Sequence, residues 1–181
     1  MSGVSIIGLI ASLVGIVMGP YLANRFGKKK VYLTAVIIST ALNLLRLLDV
    51  TSMILIYISA LIGGVAGGWV VPVSTSIQAD NTTYVQYKTG KRAEAAIASL
   101  TSFVSKVAQG LGGAIPGYVI AAYGFVTGAS VQPESINTGI ILCALILPLI
   151  FGILGSLIFG TQYTLDQKAV IEMDAKINRN N

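Results

Sequence analysis

A chain of 181 residues that is 54% apolar and only 10% charged lies far from soluble domains, in which about a quarter of residues carry charge, and a water-surrounded globule is excluded. Its net charge of +5 gathers in short segments between apolar blocks, so it reflects membrane topology rather than a nucleic-acid surface. Histidine is absent and Cys143 is the single cysteine, which rules out an intrachain disulfide and the usual zinc ligand sets. Neither a G-x-x-x-x-G-K-[ST] phosphate loop nor a G-x-S-x-G elbow occurs, and no enzyme is expected.

Five apolar blocks follow one another, at 4–23, 31–48, 53–77, 95–125 and 137–160. Each can cross a hydrocarbon core roughly 30 Å thick, which takes about 20 helical residues. None shows the period-2 alternation of a barrel strand. The expected fold class is an all-α membrane protein of about five transmembrane helices, with a bundle over 1–162 and a cytoplasmic tail over 163–181. The first block has no basic segment before it and reads as a retained span, not a signal peptide. Ten of the 12 basic residues fall at Arg25 and Lys28–Lys30, at Lys88, Lys91 and Arg92, and at Lys168, Lys176 and Arg179. With five spans these segments share one face, so the positive-inside rule places the amino terminus outside and the tail in the cytoplasm of a plasma-membrane protein. Its expected surroundings are the lipid bilayer, with no nucleic acid.

The first connection reads Gly19-Pro20-Tyr21-Leu22-Ala23-Asn24-Arg25-Phe26-Gly27-Lys28-Lys29-Lys30. A helix ending in a tight turn before a basic cluster suits a short cytoplasmic loop, with Gly27 free to take a positive φ. The run resembles the G-x-L-x-D-R-x-G-R-K loop of major facilitator transporters, with Asn24 where the acid usually stands. In the third span, Gly63-Gly64-Val65-Ala66-Gly67-Gly68-Trp69 offers small residues against which a neighbouring backbone can pack closely. Trp69 is open to two readings, packing between helices or stacking on a sugar ring. Pro72 can free a carbonyl and bend that helix.

The polar stretch 78–94, Gln-Ala-Asp-Asn-Thr-Thr-Tyr-Val-Gln-Tyr-Lys-Thr-Gly-Lys-Arg-Ala-Glu, reads as a short connection in which Gly90 makes the turn and Glu94 meets the next helix amino terminus. It resembles the A-D-x-x-D-Y-x-x-x-K-T-G-x-R-x-E loop of the glycoside-pentoside-hexuronide:cation symporters, the melibiose permease relatives within the major facilitator fold. Ala79, Asp80, Tyr84, Lys88, Thr89, Gly90, Arg92 and Glu94 match, and Lys91 stands among them. Thr83 replaces a second acid and Gln86 a glutamate of some members. Lys106 follows Lys88 by eighteen residues, where melibiose permeases carry an intramembrane lysine.

A lysine inside a span is costly unless paired or hydrated, which makes Lys106 a functional candidate; snorkelling to the headgroups is its structural alternative. Ser102, Ser105 and Gln109 lie one turn away and can share its face. The run Gly110-Leu111-Gly112-Gly113-Ala114-Ile115-Pro116-Gly117 suits close packing and bending. Residues 126–136 read as a polar outer loop, and the tail reads either as a short helix fraying from Asn178 to Asn181 or as a disordered, solvated tail.

The resemblance implies helices 8–12 of a twelve-helix sugar transporter, so the chain is expected to be a truncated or split part of a symporter whose helices 1–7 are missing. It implies a sugar or glycoside substrate and a coupling cation, Na or H, whose site is not in this chain; no other cofactor is expected. Lys106, Gln109, Trp69 and Ser102 are then the substrate or coupling candidates, and incompleteness implies inactivity alone. The competing reading is a non-transporting helical module that assembles with or regulates a partner.

Overall fold

The structure, a computed structural model, describes residues 2–49, 51–129 and 131–179. Ser130 of the expected outer loop, and Asn180 and Asn181 of the expected fraying end, lie outside the described residues. Each apolar block is helical: α1 (Ser2–Phe26), α2 (Lys28–Leu48), α3 (Met53–Thr89), α4 (Glu94–Ala122) and a composite of α5 (Ser135–Ile141), a π turn (Leu142–Ile146) and α6 (Leu147–Gln162). A last helix, α7 (Gln167–Arg179), forms the tail, and it includes Asn178 and Arg179 rather than fraying there.

Four of these segments, α1, α2, α3 and Ser135–Gln162, are long and apolar enough to cross a membrane. The expected fifth span, α4, is long enough at 29 residues, but Lys106, Gln109 and its glycines dilute its apolar character. The chain turns from α1 into α2 on Gly27 alone, at a φ of 88° that L side chains rarely adopt. Ser52 caps α3 by accepting from the Leu55 N–H, satisfying one free donor of the helix start. Pro148 stands two residues after the π turn, on the second residue of α6. Its ring has no N–H and collides with the carbonyl four residues back, and a local widening of the helix relieves that collision.

The third helix corrects the sequence reading. It does not stop at residue 77: residues 78–89, expected as a connection, are three further helical turns, and the true turn is confined to 90–93. At 37 residues α3 is about 55 Å long at 1.5 Å per residue, well beyond a hydrocarbon core. The polar residues suit this helix. Thr82 and Thr89 return their hydroxyls to the carbonyls of Gln78 and Val85, and α7 packs along the extension. Gly90 closes the helix at a φ of 67°, its N–H donating to the Gln86 carbonyl at 2.8 Å, a left-handed cap. Glu94 then opens α4, where the helix dipole favours an acid.

Lipid provides no hydrophobic drive between helices, so tight backbone approach must supply the packing. The α1–α3 contact is built this way. A Cβ at Gly15 would collide with the Val65 carbonyl oxygen and one at Gly68 with that of Ser12; at Gly64 it would lie 2.7 Å from the Gly8 carbonyl oxygen. Gly67, between them, faces open space. Gly68→Leu is therefore expected to destabilise the bundle by about 1–3 kcal/mol or more, as overpacking does, while Gly67→Leu is near neutral. Unfolding of the two variants in detergent micelles by denaturant titration checks this, and equal losses would contradict the assigned interface.

The core lies where α1 ends and α2 begins: Ala23, Val31, Val73, Ile77 and Tyr163 are buried together, with Trp69 and Phe159 packed on them. Tyr32, Phe159 and Tyr163 form an aromatic ladder with centroid spacings of 4.6 and 4.9 Å, within the range in which ring pairs attract beyond their area. By contrast α4 buries no residue and touches α3, α5 and the π turn only sparsely.

Candidate functional site

One acid is buried at the basic end of the bundle. Asp80, on α3, is 6% exposed and is the buried charged residue among those described. Lys28 Nζ lies 2.7 Å from each of its carboxylate oxygens, and the Tyr163 hydroxyl donates to Oδ2 at 3.2 Å. Taking a carboxylate out of water costs several kcal/mol unless good geometry repays it; here a charge-assisted pair and a phenol together occupy both oxygens. Burial first, and then the charge of Asp80, push the Tyr163 phenol well up from its ordinary value, so it remains a protonated donor throughout the physiological range.

The three partners come from three connections. Gly27 reverses the chain so that Lys28, the first residue of α2, lies over α3. Asp80 is available because α3 continues as helix past residue 77. Tyr163 caps α6 in extended backbone, with φ −81° and ψ 106°, and its ring is held by the aromatic ladder. The cluster thus pins the α1–α2 turn, the α3 extension and the α6–α7 junction to one point. Sequence reasoning named Asp80 as part of a loop motif and Lys28 as part of a basic run, but did not pair them. It missed Tyr163, whose only signal is an aromatic residue directly after an apolar block, the position of an interfacial anchor.

The other residues of the loop motif gather lower on the same end. Lys88 Nζ sits 5.8 Å from the Tyr84 ring centroid, and Lys176 of α7 sits 5.7 Å from that of Tyr87. The Lys91 N–H donates to Thr89 Oγ1 at 3.3 Å across the Gly90 turn. Arg92 and Glu94, with Thr83, Gln86 and Asp174, line a polar cavity of about 350 Å³ between α3, the start of α4 and α7.

Lys106, Ser102 and Gln109 are exposed on α4, spaced so that they share one stripe of that helix. Trp69 is elsewhere. Its Cα and Cβ are where a side chain at Gly19 would meet them, and its indole N–H is buried without a partner among the described residues. It borders an apolar groove of about 360 Å³ formed by α1, α2 and α3, which no α4 residue lines.

The chain matches the family model described as "MFS/sugar transport protein" over residues 1–167. It is 29% identical over 178 residues to the glucuronide carrier protein homolog of Escherichia coli (strain K12), which covers 94% of the chain and 39% of that protein. It is 28% identical over 138 residues to the isoprimeverose transporter of Lactiplantibacillus pentosus, covering 73% of the chain and 28% of that protein. An uncharacterized symporter of Bacillus subtilis (strain 168), YnaJ, is 31% identical over 169 residues, covering 89% and 35%. The chain spans about a third of the length of these curated relatives.

Proposed function

Because the chain belongs to the MFS/sugar transport protein family, we propose that it is the part of a secondary active transporter that moves a sugar or glycoside with a cation, Na or H, by alternating access. The observation that carries this reading is α4: a spanning-length helix that buries nothing yet carries Lys106, Ser102 and Gln109 on one stripe. A polar stripe on an unburied helix suits the wall of an aqueous pathway whose other wall comes from further helices, near the bilayer midplane. The Asp80 cluster suits the same mechanism, because rocking of one bundle against another requires each to move as a unit. Relatives named as an isoprimeverose transporter and a glucuronide carrier protein homolog support a sugar or glycoside as the cargo.

In this reading the chain alone does not transport, and the coupling cation is held outside it. The test is a graft. The chain reconstituted alone is expected to show no sugar-dependent cation uptake, whereas the chain put in place of the matching segment of the E. coli glucuronide carrier homolog supports it. Uptake by the chain alone would refute the need for a completing wall. Insertion of the graft with no uptake of any sugar would favour a module that assembles with or regulates a partner.

On this reading the positive-inside rule predicts an amino terminus outside and α7 on the cytoplasmic side of the plasma membrane. A cysteine at Lys29 and one at Val131, which is 83% exposed, are expected to label from opposite faces. Labelling of both from the same face would overturn this orientation.

A further inference from the structure

The end of the bundle opposite Asp80 holds a second group of polar side chains, which the transport reading does not use. Ser39, Asn43 and Arg46 recur at i, i+4 and i+7 on α2, so one stripe of the helix carries all three. With Ser59 of α3, they line a cavity of about 300 Å³ between α1, α2 and α3. Small-molecule sites begin at about that volume, and its remaining walls are largely apolar.

Among the described residues, no acid lines this cavity to answer the charge of Arg46. Among the described residues the ion pair is Lys28–Asp80, at the other end. The nearest acid in sequence, Asp49, directs its Oδ1 to the Thr51 N–H at 3.0 Å and the Thr51 hydroxyl at 2.8 Å. A guanidinium stays charged and presents a planar fork of donors that fits two oxygens of one anion. Apolar walls strengthen such a contact by lowering the local dielectric. An amide and two hydroxyls alongside the fork suit hydroxyl groups next to the anionic group. A neutral sugar would leave the guanidinium unanswered, and a cation would be repelled.

We infer that the Ser39–Asn43–Arg46–Ser59 cavity binds an oxyanion borne beside hydroxyl groups, either the carboxylate or sulfonate of a soluble sugar acid or the phosphate and glycerol of an anionic lipid headgroup. Arg46 grips the oxyanion, while Asn43, Ser39 and Ser59 take the hydroxyls. This rests on the proposed transport function only for the side to which the cavity opens; binding is measured without transport.

The probe is glucuronate, with glucose as the uncharged control, measured by equilibrium dialysis against the full chain in phosphatidylcholine nanodiscs. Saturable glucuronate binding is expected, with no competition from glucose. Arg46→Gln is expected to weaken it by roughly 10- to 100-fold, and Arg46→Lys by less, since a point charge keeps the attraction but loses the fork. Ser59→Val, which leaves the charge in place, should lower the preference for glucuronate over acetate, and it keeps the test open if Arg46→Gln inserts poorly. In a parallel arm, phosphatidylglycerol retained per chain is counted by native mass spectrometry. A retained lipid that Arg46→Gln releases, with glucuronate failing to bind, identifies the headgroup as the source and still supports the oxyanion site. Glucuronate binding and lipid retention both within twofold of the parent in Arg46→Gln would overturn the site and leave Arg46 reaching for water at the helix end. Glucuronate binding without uptake in the graft would remove the transport reading and leave this site standing.

Discussion

Lys28→Met is expected to destabilise the chain by about 3–5 kcal/mol, the cost of leaving a buried charge without its partner. Asp80 is 6% exposed on the inner face of α3 and cannot swing out to water without unwinding the helix; among the described residues the Tyr163 hydroxyl would be left as its donor. Asp80→Leu should cost less. Lys28 lies at the start of α2 on a flexible stem, and once freed it can carry its ammonium to the aqueous face. The double variant Lys28→Met with Asp80→Leu should recover much of the loss, because apolar pairs of similar volume often replace buried ion pairs at little cost. Denaturant titration in micelles of the parent, both single variants and the double variant gives the coupling directly. Single losses that simply add, or a Lys28→Met loss of roughly 1 kcal/mol or less as for exposed pairs, would show that the pair is not structural.

Lys106→Ala, made in the graft that carries the rest of a transporter, is expected to abolish coupled sugar uptake while leaving insertion intact. Lys106 lies about 18 Å along α4 from Glu94 at 1.5 Å per residue, deep enough that its charge needs a partner or water. The resemblance of the 78–94 segment to the symporters implies that acids on other helices answer it across the pathway. Losing one member of such a pair costs about 3–5 kcal/mol, or roughly a hundredfold or more in any equilibrium that depends on it. Lys106→Arg should rescue only in part, since its planar fork does not reproduce a compact ammonium. Lys88→Ala should be mild, because Lys88 is exposed near the end of α3 and Tyr84 is its aromatic neighbour. Uptake within twofold of the parent for Lys106→Ala would show that the lysine snorkels to the headgroups, and the pathway role would be withdrawn.

The chain's own composition determined that it is a bundle of membrane helices, because apolar blocks of spanning length leave the backbone no other way to satisfy its hydrogen bonds in lipid. Local residue chemistry was equally legible at Gly27 and Gly90, where only glycine takes the required φ cheaply, and at Glu94 on the start of α4. The small residues around Gly64 and Gly68 announced a close contact, but not that α1 is the partner. Residues 78–89 were misjudged because a polar segment without apolar periodicity looks like a loop when read alone. Their helix stands because tertiary partners answer its polar side chains: Lys28 and Tyr163 meet Asp80, and α7 lies along the remainder. Those partners lie 52 and 83 residues away, and no local spacing encodes which distant cation or phenol a carboxylate will find. The same holds for the cavity at Arg46. Its three-residue stripe is visible in sequence, and so is the local turn in which Asp49 meets Thr51, but Ser59 faces the stripe only through the way α2 and α3 come together. Tertiary structure decided these points because pairing a buried charge is a property of what the fold brings within hydrogen-bond reach.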